Sequence, residues 1–379
     1  MMFDERLLKL RLYLSSFIIG ATLSSSTYFI PIFLMEMGAS YTFIGLTGSL
    51  RGIPYSILPF FVGFLTTRYD LRTLYMLSPI SLSIGLASLY FSRNYLDVIV
   101  GNILVGISMV FYWPVAESII AEFVSEESKW KIFSGFSTSW STAYFIGPIF
   151  GGFISQLIGV EGLFLLCTLL SITGLPIIYS MGKLKIHKIN VKDKQRIDIV
   201  KSSKSIWSMY VSVFLFTFGM SCITALAPSY FYEIGWSNVE IGLIFTLFGL
   251  ARTIAYMLTN KLNIFNPALM MIFSTIFMSL SIIFLARIDF TLIIISLLIA
   301  GFVNGIFFIS SFILINIKID AGYRSTSIGL MEGVLGLGFI ISPGLIGFLI
   351  DILGAGNGFL ITSLIVILAL PFLLLLKLR

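Results

Sequence analysis

Apolar residues run along this chain for about two dozen positions at a time, separated by short polar breaks. They do not alternate with polar residues in segments of about ten, as the strands of a membrane β-barrel would. Runs of this length suit α-helices, because roughly 20 residues of helix cross a hydrocarbon core of about 30 Å. The pattern predicts twelve spans, over 12–34, 42–65, 73–92, 96–119, 132–157, 162–182, 206–231, 238–260, 267–286, 290–316, 325–350 and 357–376. The first starts too late and runs too long for a signal peptide, so it is expected to stay as a helix. The only long polar stretch divides the chain into an N-terminal six-helix bundle (1–182), a basic linker (183–205) and a C-terminal six-helix bundle (206–379).

The breaks carry the bases unequally. Arg6, Lys9, Arg11, Arg68, Arg72, Lys129, Lys131, eight bases between Lys183 and Lys204, Lys261, Lys318, Arg324, Lys377 and Arg379 fall on one side. Arg93 and Arg287 fall on the other, and Arg51 and Arg252 lie inside spans. Lys and Arg gather on the cytoplasmic side of a membrane. The expectation is therefore a multi-pass protein of the cell membrane with both termini and the linker cytoplasmic. The same asymmetry accounts for the net charge of +6, so the basic linker calls for no nucleic-acid partner.

Composition narrows the class. Hydrophobic residues make up 58% of the chain and charged ones 11%, against about 25% charged in soluble domains. Disorder, a disulfide-stapled secreted domain and an ordinary cytosolic enzyme are excluded. Cys167 and Cys222 sit within apolar runs and read as packing residues. His187 stands alone among lysines, so neither a metal site nor a cofactor is expected.

The two halves repeat. Glu36, Gly38, Ser40, Ile44, Gly45 and Leu46 recur 197 residues later as Glu233, Gly235, Ser237, Ile241, Gly242 and Leu243. Near the end of each half, Pro148, Gly152 and Phe153 recur 195 residues later as Pro343, Gly347 and Phe348. Apolar composition alone would not hold Glu, Gly and Ser in register across such a distance.

Six plus six helices joined by a basic loop resemble the major facilitator superfamily over essentially the whole chain. The loop between the second and third spans of that family reads Gly-x-x-x-Asp-Arg-x-Gly-Arg-Arg. Here Gly63, Arg68 and Arg72 match, whereas Thr67, Asp70 and Leu71 replace the Asp, the second Gly and one Arg. The fifth-span motif Gly-Pro-x-x-Gly-Gly is complete at Gly147, Pro148, Gly151 and Gly152, although Ala143 stands where a further glycine is expected. The resemblance implies an all-α integral membrane fold of two pseudo-symmetric six-helix bundles. It also implies alternating access to a small solute bound near the midplane. In the family the fifth-span motif is commoner in exporters and antiporters; its physical reading is close helix packing.

Ionisable residues deep in a span are costly and mark function by default. Three qualify: Arg51 in the second span, Arg252 in the eighth and Glu332 in the eleventh. Arg51 and Arg252 lie about 15 and 21 Å from the outer ends of repeat-equivalent spans. Guanidinium forks suit a bound oxyanion, so the pair reads as an anion clamp. The competing reading pairs Arg252 with Glu332, whose depths agree within about 2 Å. Glu332 is also the candidate for coupling to a proton or ion. Tyr55, Tyr112, Trp140 and Asn304 are expected to line a substrate site, with Asn102, Trp113, Tyr144, Asn316 and the run Ser24–Thr27 as weaker candidates. Arg68 or Arg72 is expected to pair with Glu117 or Glu122 as a cytoplasmic gate.

The leading function is a secondary active transporter, acting as a monomer in the lipid bilayer, for an anionic or polar metabolite. The alternative is a multidrug or sugar efflux antiporter. An enzyme is not expected, because no span holds a histidine and no Gly-x-x-x-x-Gly-Lys-Ser/Thr stretch offers an ATP site. Reporter fusions or cysteine labelling at Gly38, Lys192 and Gly356 check the orientation. Only positions 38 and 356 should react from outside, and external labelling at 192 would reverse the assignment.

Overall fold

The computed structural model describes residues 5–66, 68–184, 206–262, 266–319 and 324–377. Most of the linker, with His187, lies outside them. The described residues are almost wholly helical: α1 Glu5–Thr27, α2 Ile30–Glu36, α3 Tyr41–Thr66, α4 Leu71–Tyr90, α5 Tyr95–Phe123 and α6 Glu126–Tyr179. Then follow α7 Trp207–Glu233, α8 Asn238–Leu262, α9 Pro267–Leu285, α10 Phe290–Lys318, α11 Arg324–Leu353, α12 Ala355–Ile367 and α13 Ala369–Lys377.

The twelve spans map onto these helices with physical reasons for each difference. The first span is split into α1 and α2 because Pro31 lacks the N–H that would bond the carbonyl of Thr27, where α1 ends. Pro371 breaks the last span in the same way after Ile367, the end of α12. Helix α6 holds the fifth and sixth spans, divided at Gly159, whose φ of 79° is left-handed. Gly354, 195 residues later, divides α11 from α12 at φ 83°. Among the described residues ten helical stretches are long and apolar enough to cross a membrane. One of them, Glu127–Tyr179, has 53 residues and is the pair of crossings meeting at Gly159.

The helices gather into two compact units that depart slightly from the division at the linker. One comprises Met1–Met37, Leu50–Lys192 and Ser237–Leu243; the other comprises Gly38–Ser49, Asp193–Trp236 and Ile244–Arg379. In the first, α1 packs on α6, and α4 packs on both α5 and α6. In the second, α7 packs on α11, and α9 packs on both α10 and α12. The pairings repeat, as the sequence does.

The repeated residues sit where this packing is tightest. Gly38 and Gly235 take left-handed φ values of 82° and 91°, ending one helix so that the next can start. Ser237 and Glu240 then close a capping box on α8, with Ser237 N–H donating to Glu240 Oε2 (2.8 Å) and Glu240 N–H to Ser237 Oγ (3.3 Å). Four residues into α8, a Cβ on Gly242 would overlap the Pro148 carbonyl of α6. A Cβ on Gly45 in α3 would likewise overlap the Pro343 carbonyl of α11. In the second unit Asp351 caps α3: its carboxylate accepts from the Tyr41 and Thr42 N–H groups (2.9 and 2.8 Å) and from the Thr42 hydroxyl (2.6 Å). The counterpart in the first unit is neutral, with Gln156 Oε1 accepting from the Asn238 N–H at 3.2 Å.

Replacing Gly45 or Gly242 with Leu should therefore cost on the order of 1–3 kcal/mol, the range for overpacking a tight contact. Thermal unfolding in detergent checks this, with Gly333→Ala as the control, because a Cβ at Gly333 meets open space. Equal melting temperatures for all three variants would refute the packing account.

Candidate functional site: a buried-edge arginine beside stacked aromatics

Arg51 stands ten residues into α3, about 15 Å from its first residue. Its turn is pressed against α5 at Gly106, where a Cβ would lie 2.5 Å from the Arg51 carbonyl oxygen and 3.1 Å from its Cγ. Only glycine lets the helices meet so closely. The Arg51 side chain is half-buried, and Tyr28 and Tyr144 act on it electrostatically. Among the described residues no carboxylate pairs with it. An unneutralised guanidinium at this depth is costly, and its forked donors match a carboxylate or phosphate.

Beside Arg51, α5 and α6 contribute a stack of rings. Phe136 lies on Tyr112 with centroids 5.5 Å apart, Tyr112 on Trp140 at 4.6 Å, and Trp140 on Tyr144 at 4.6 Å. The interplanar angles are 22°, 25° and 31°. Trp113 closes the side of the stack, edge-on to Tyr112 and Trp140 at 5.2 Å each. Gly20 of α1 lies against the Trp140 ring and Ala143, which fixes the indole from behind.

The structure divides the expected binding residues by depth. Tyr112 is fully buried and its hydroxyl is 2.7 Å from Ser16 Oγ, so it supports the stack from within. Trp140 is also buried, whereas Trp113, Tyr144 and Tyr55 are half-buried and keep accessible surface. Asn102 is buried. In the second unit Asn304 is 2% exposed, and its side-chain nitrogen has no hydrogen-bond partner among the described residues. Asn316 is exposed and donates to the Phe312 carbonyl. Arg252 and Glu332 both stand half-buried in that unit. The Arg252 guanidinium carbon is 6.0 Å from the Phe248 ring centroid, and its carbonyl is met by Gly305 as that of Arg51 is met by Gly106.

Arg72 departs from the expected gate. It pairs with Asp70 (3.5 Å), lies over the Tyr179 ring at 4.9 Å and donates to the Tyr179 carbonyl, so it engages neither Glu117 nor Glu122. The reason is local. Asp70, standing where the family has a glycine, is a carboxylate only two residues away, and it also caps α4 and accepts from the Leu184 N–H at 2.7 Å. Arg68, Glu117 and Glu122 are exposed. Thr67 lies outside the described residues.

The fifth-span motif receives the serine run of α1. Ser24 donates toward the Ala143 carbonyl at 2.9 Å and Ser25 toward the Gly147 carbonyl at 2.9 Å, and a Cβ on Gly151 would strike the Ser25 carbonyl. Both cysteines are buried and free. Among the described residues no cluster of His, Cys, Asp and Glu could hold a metal.

The sequence reading passed over two features. The electrostatic influence of Tyr28 and Tyr144 on Arg51 joins α3, α6 and the turn between α1 and α2, and leaves no spacing to read. Asp351 and Gln156, by contrast, lie 195 residues apart, the spacing already set by Pro148 and Pro343, and could have been paired.

Comparison with known proteins bears on the family and the fold. The sequence model described as Major Facilitator Superfamily matches residues 12–230 and again 209–379. The multi-drug resistance efflux pump PmrA of Streptococcus pneumoniae is 27% identical over 158 residues, which is 41% of this chain but only 39% of that protein's length. An uncharacterized MFS-type transporter of Methanocaldococcus jannaschii is 24% identical over 338 residues, 86% of both chains. Among solved structures, the nucleoside transporter NupG has a TM-score of 0.81 at 14% identity, covering 98% of this chain and 99% of its own. A bacterial homolog of the human lysosomal transporter Spinster has a TM-score of 0.79 at 14% identity, covering 98% of this chain and 96% of its own. These structural likenesses speak to the fold.

Proposed function

The chain belongs to the Major Facilitator Superfamily, and we propose that it is a secondary active transporter carrying an anionic or polar solute by alternating access, with Arg51 as the anchor. The observation that carries this reading is the half-buried Arg51 ten residues into α3, with no carboxylate paired to it among the described residues. On insertion scales a lone arginine at the centre of a span costs about 2.5–3.5 kcal/mol. A bound oxyanion would offset that cost.

Alternating access rests on the repeat. Two like halves, each with its own deep arginine, are the architecture in which one half moves against the other around a midplane site. Glu332, half-buried in α11, is the coupling candidate in this scheme. The orientation proposed, with both termini cytoplasmic, rests on the distribution of bases along the chain.

A second reading, efflux of drugs, is favoured by the similarity to PmrA over part of the chain. Cationic drugs would be drawn to a carboxylate, and an arginine in that role would repel them. The two readings separate in proteoliposomes. Counterflow of labelled succinate, phosphate or benzoate should occur with the native protein, fall at least tenfold in Arg51→Gln and recover in part in Arg51→Lys, which keeps the charge but loses the fork. Ethidium transport that survives Arg51→Gln, with no anion moved by the native protein, would favour the second reading and overturn the first.

A further inference from the structure

We propose that Asp351 and Glu233 form a charged latch on the first turn of α3, and that the matching neutral tie on α8 opens first when the two sequence halves separate at this face. The proposal rests on the alternating-access reading and is independent of Arg51. Both ties lie on the face away from the linker, because α7 starts next to the linker at Trp207 and ends at Glu233, just before α8 begins.

The repeat supplies an internal control. In the second unit a Cβ on Gly347 of α11 would overlap the Tyr41 carbonyl at the start of α3. In the first unit a Cβ on Gly152 of α6 would overlap the Asn238 carbonyl at the start of α8. With Gly45 on the Pro343 carbonyl and Gly242 on the Pro148 carbonyl, backbone packing is matched in the two units. What differs is polar. Asp351 accepts from the Tyr41 and Thr42 N–H groups and the Thr42 hydroxyl, and the Tyr41 hydroxyl donates to Glu233 Oε2 at 2.5 Å. Two carboxylates thus hold one turn, from α11 and from α7, and neither forms an ion pair among the described residues. The equivalent turn of α8 has Asn238 for Tyr41 and Val239 for Thr42. Val239 has no hydroxyl to donate. Among the described residues Gln156 accepts only from the Asn238 N–H, and the buried Asn238 Oδ1 has no hydrogen-bond partner.

A carboxylate facing the N–H groups of a helix start gains charge-assisted bonds and attraction to the helix dipole, and a neutral amide lacks the charge for either. Matched packing with unequal polar ties makes α3 the later of the two to let go.

Ile44 and Ile241 report the two events. They are repeat equivalents, each three residues into its helix and buried, at 2% and 0% exposure. The test places the full chain, carrying Cys167→Ala and Cys222→Ala, in lipid nanodiscs. Labelling of Ile44→Cys and Ile241→Cys by a water-soluble maleimide is timed and normalised to the same chains in SDS. The proposal expects Ile241→Cys to label about three- to tenfold faster, as charged hydrogen bonds exceed neutral ones in strength. Asp351→Asn should speed labelling at position 44 by about three- to tenfold and leave position 241 unchanged, while Gln156→Glu should slow labelling at 241. Equal rates in the parent chain, indifference of position 44 to Asp351→Asn or of position 241 to Gln156→Glu would overturn the latch. So would a rise at both positions in Asp351→Asn, which marks general loosening. Arg51 as the anion anchor, tested by counterflow, would stand in each case.

Discussion

The structure depends on helices meeting backbone to backbone at glycines set against carbonyl oxygens. Gly45 lies on the Pro343 carbonyl, Gly242 on the Pro148 carbonyl, Gly106 on that of Arg51 and Gly305 on that of Arg252. In a bilayer the hydrophobic effect does not drive helices together, so association rests on dispersion and short polar contacts. Both grow as the backbones approach, and any side chain at these four positions would hold them apart. The glycines therefore decide which turns are brought together, including the turns that carry the two deep arginines.

The same economy governs the polar groups. Serine hydroxyls of α1 bond to carbonyls of α6, and Asp351 takes up N–H groups at the start of α3. Where a charge has no such partner within its own unit, as at Arg51, the cost has to be met in another way. In the proposed function a bound anion meets that cost. In the same unit the stacked rings of α5 and α6 form a rigid wall, with Tyr112 and Trp140 each held between two neighbours.

Much of this was legible from the chain itself. The apolar runs gave the spans, and the repeat of Glu, Gly and Ser at a spacing of 197 marked the turns that Gly38 and Gly235 make. Such features are local, so sequence carries them. The splits at Thr27 and Ile367 were also within reach, since Pro31 and Pro371 each remove one helical hydrogen bond. The partners of Arg51 and Arg72 were not. Arg51 and Tyr144 come from two helices and Tyr28 from the turn between α1 and α2; their orientation is set by packing, and hydropathy says nothing about rotation. For Arg72, the family motif directed attention to distant acids, while Asp70, two residues away, had already captured the charge.

The account stands or falls on whether an anion occupies the space beside Arg51. The most direct measurement is an experimental structure of the protein with 4-iodobenzoate, in which the iodine locates the ring and the carboxylate can be placed from it. The expected result is the carboxylate within hydrogen-bond distance of the Arg51 guanidinium. Iodine found elsewhere, with Arg51 instead closed onto a carboxylate side chain of the protein, would contradict it.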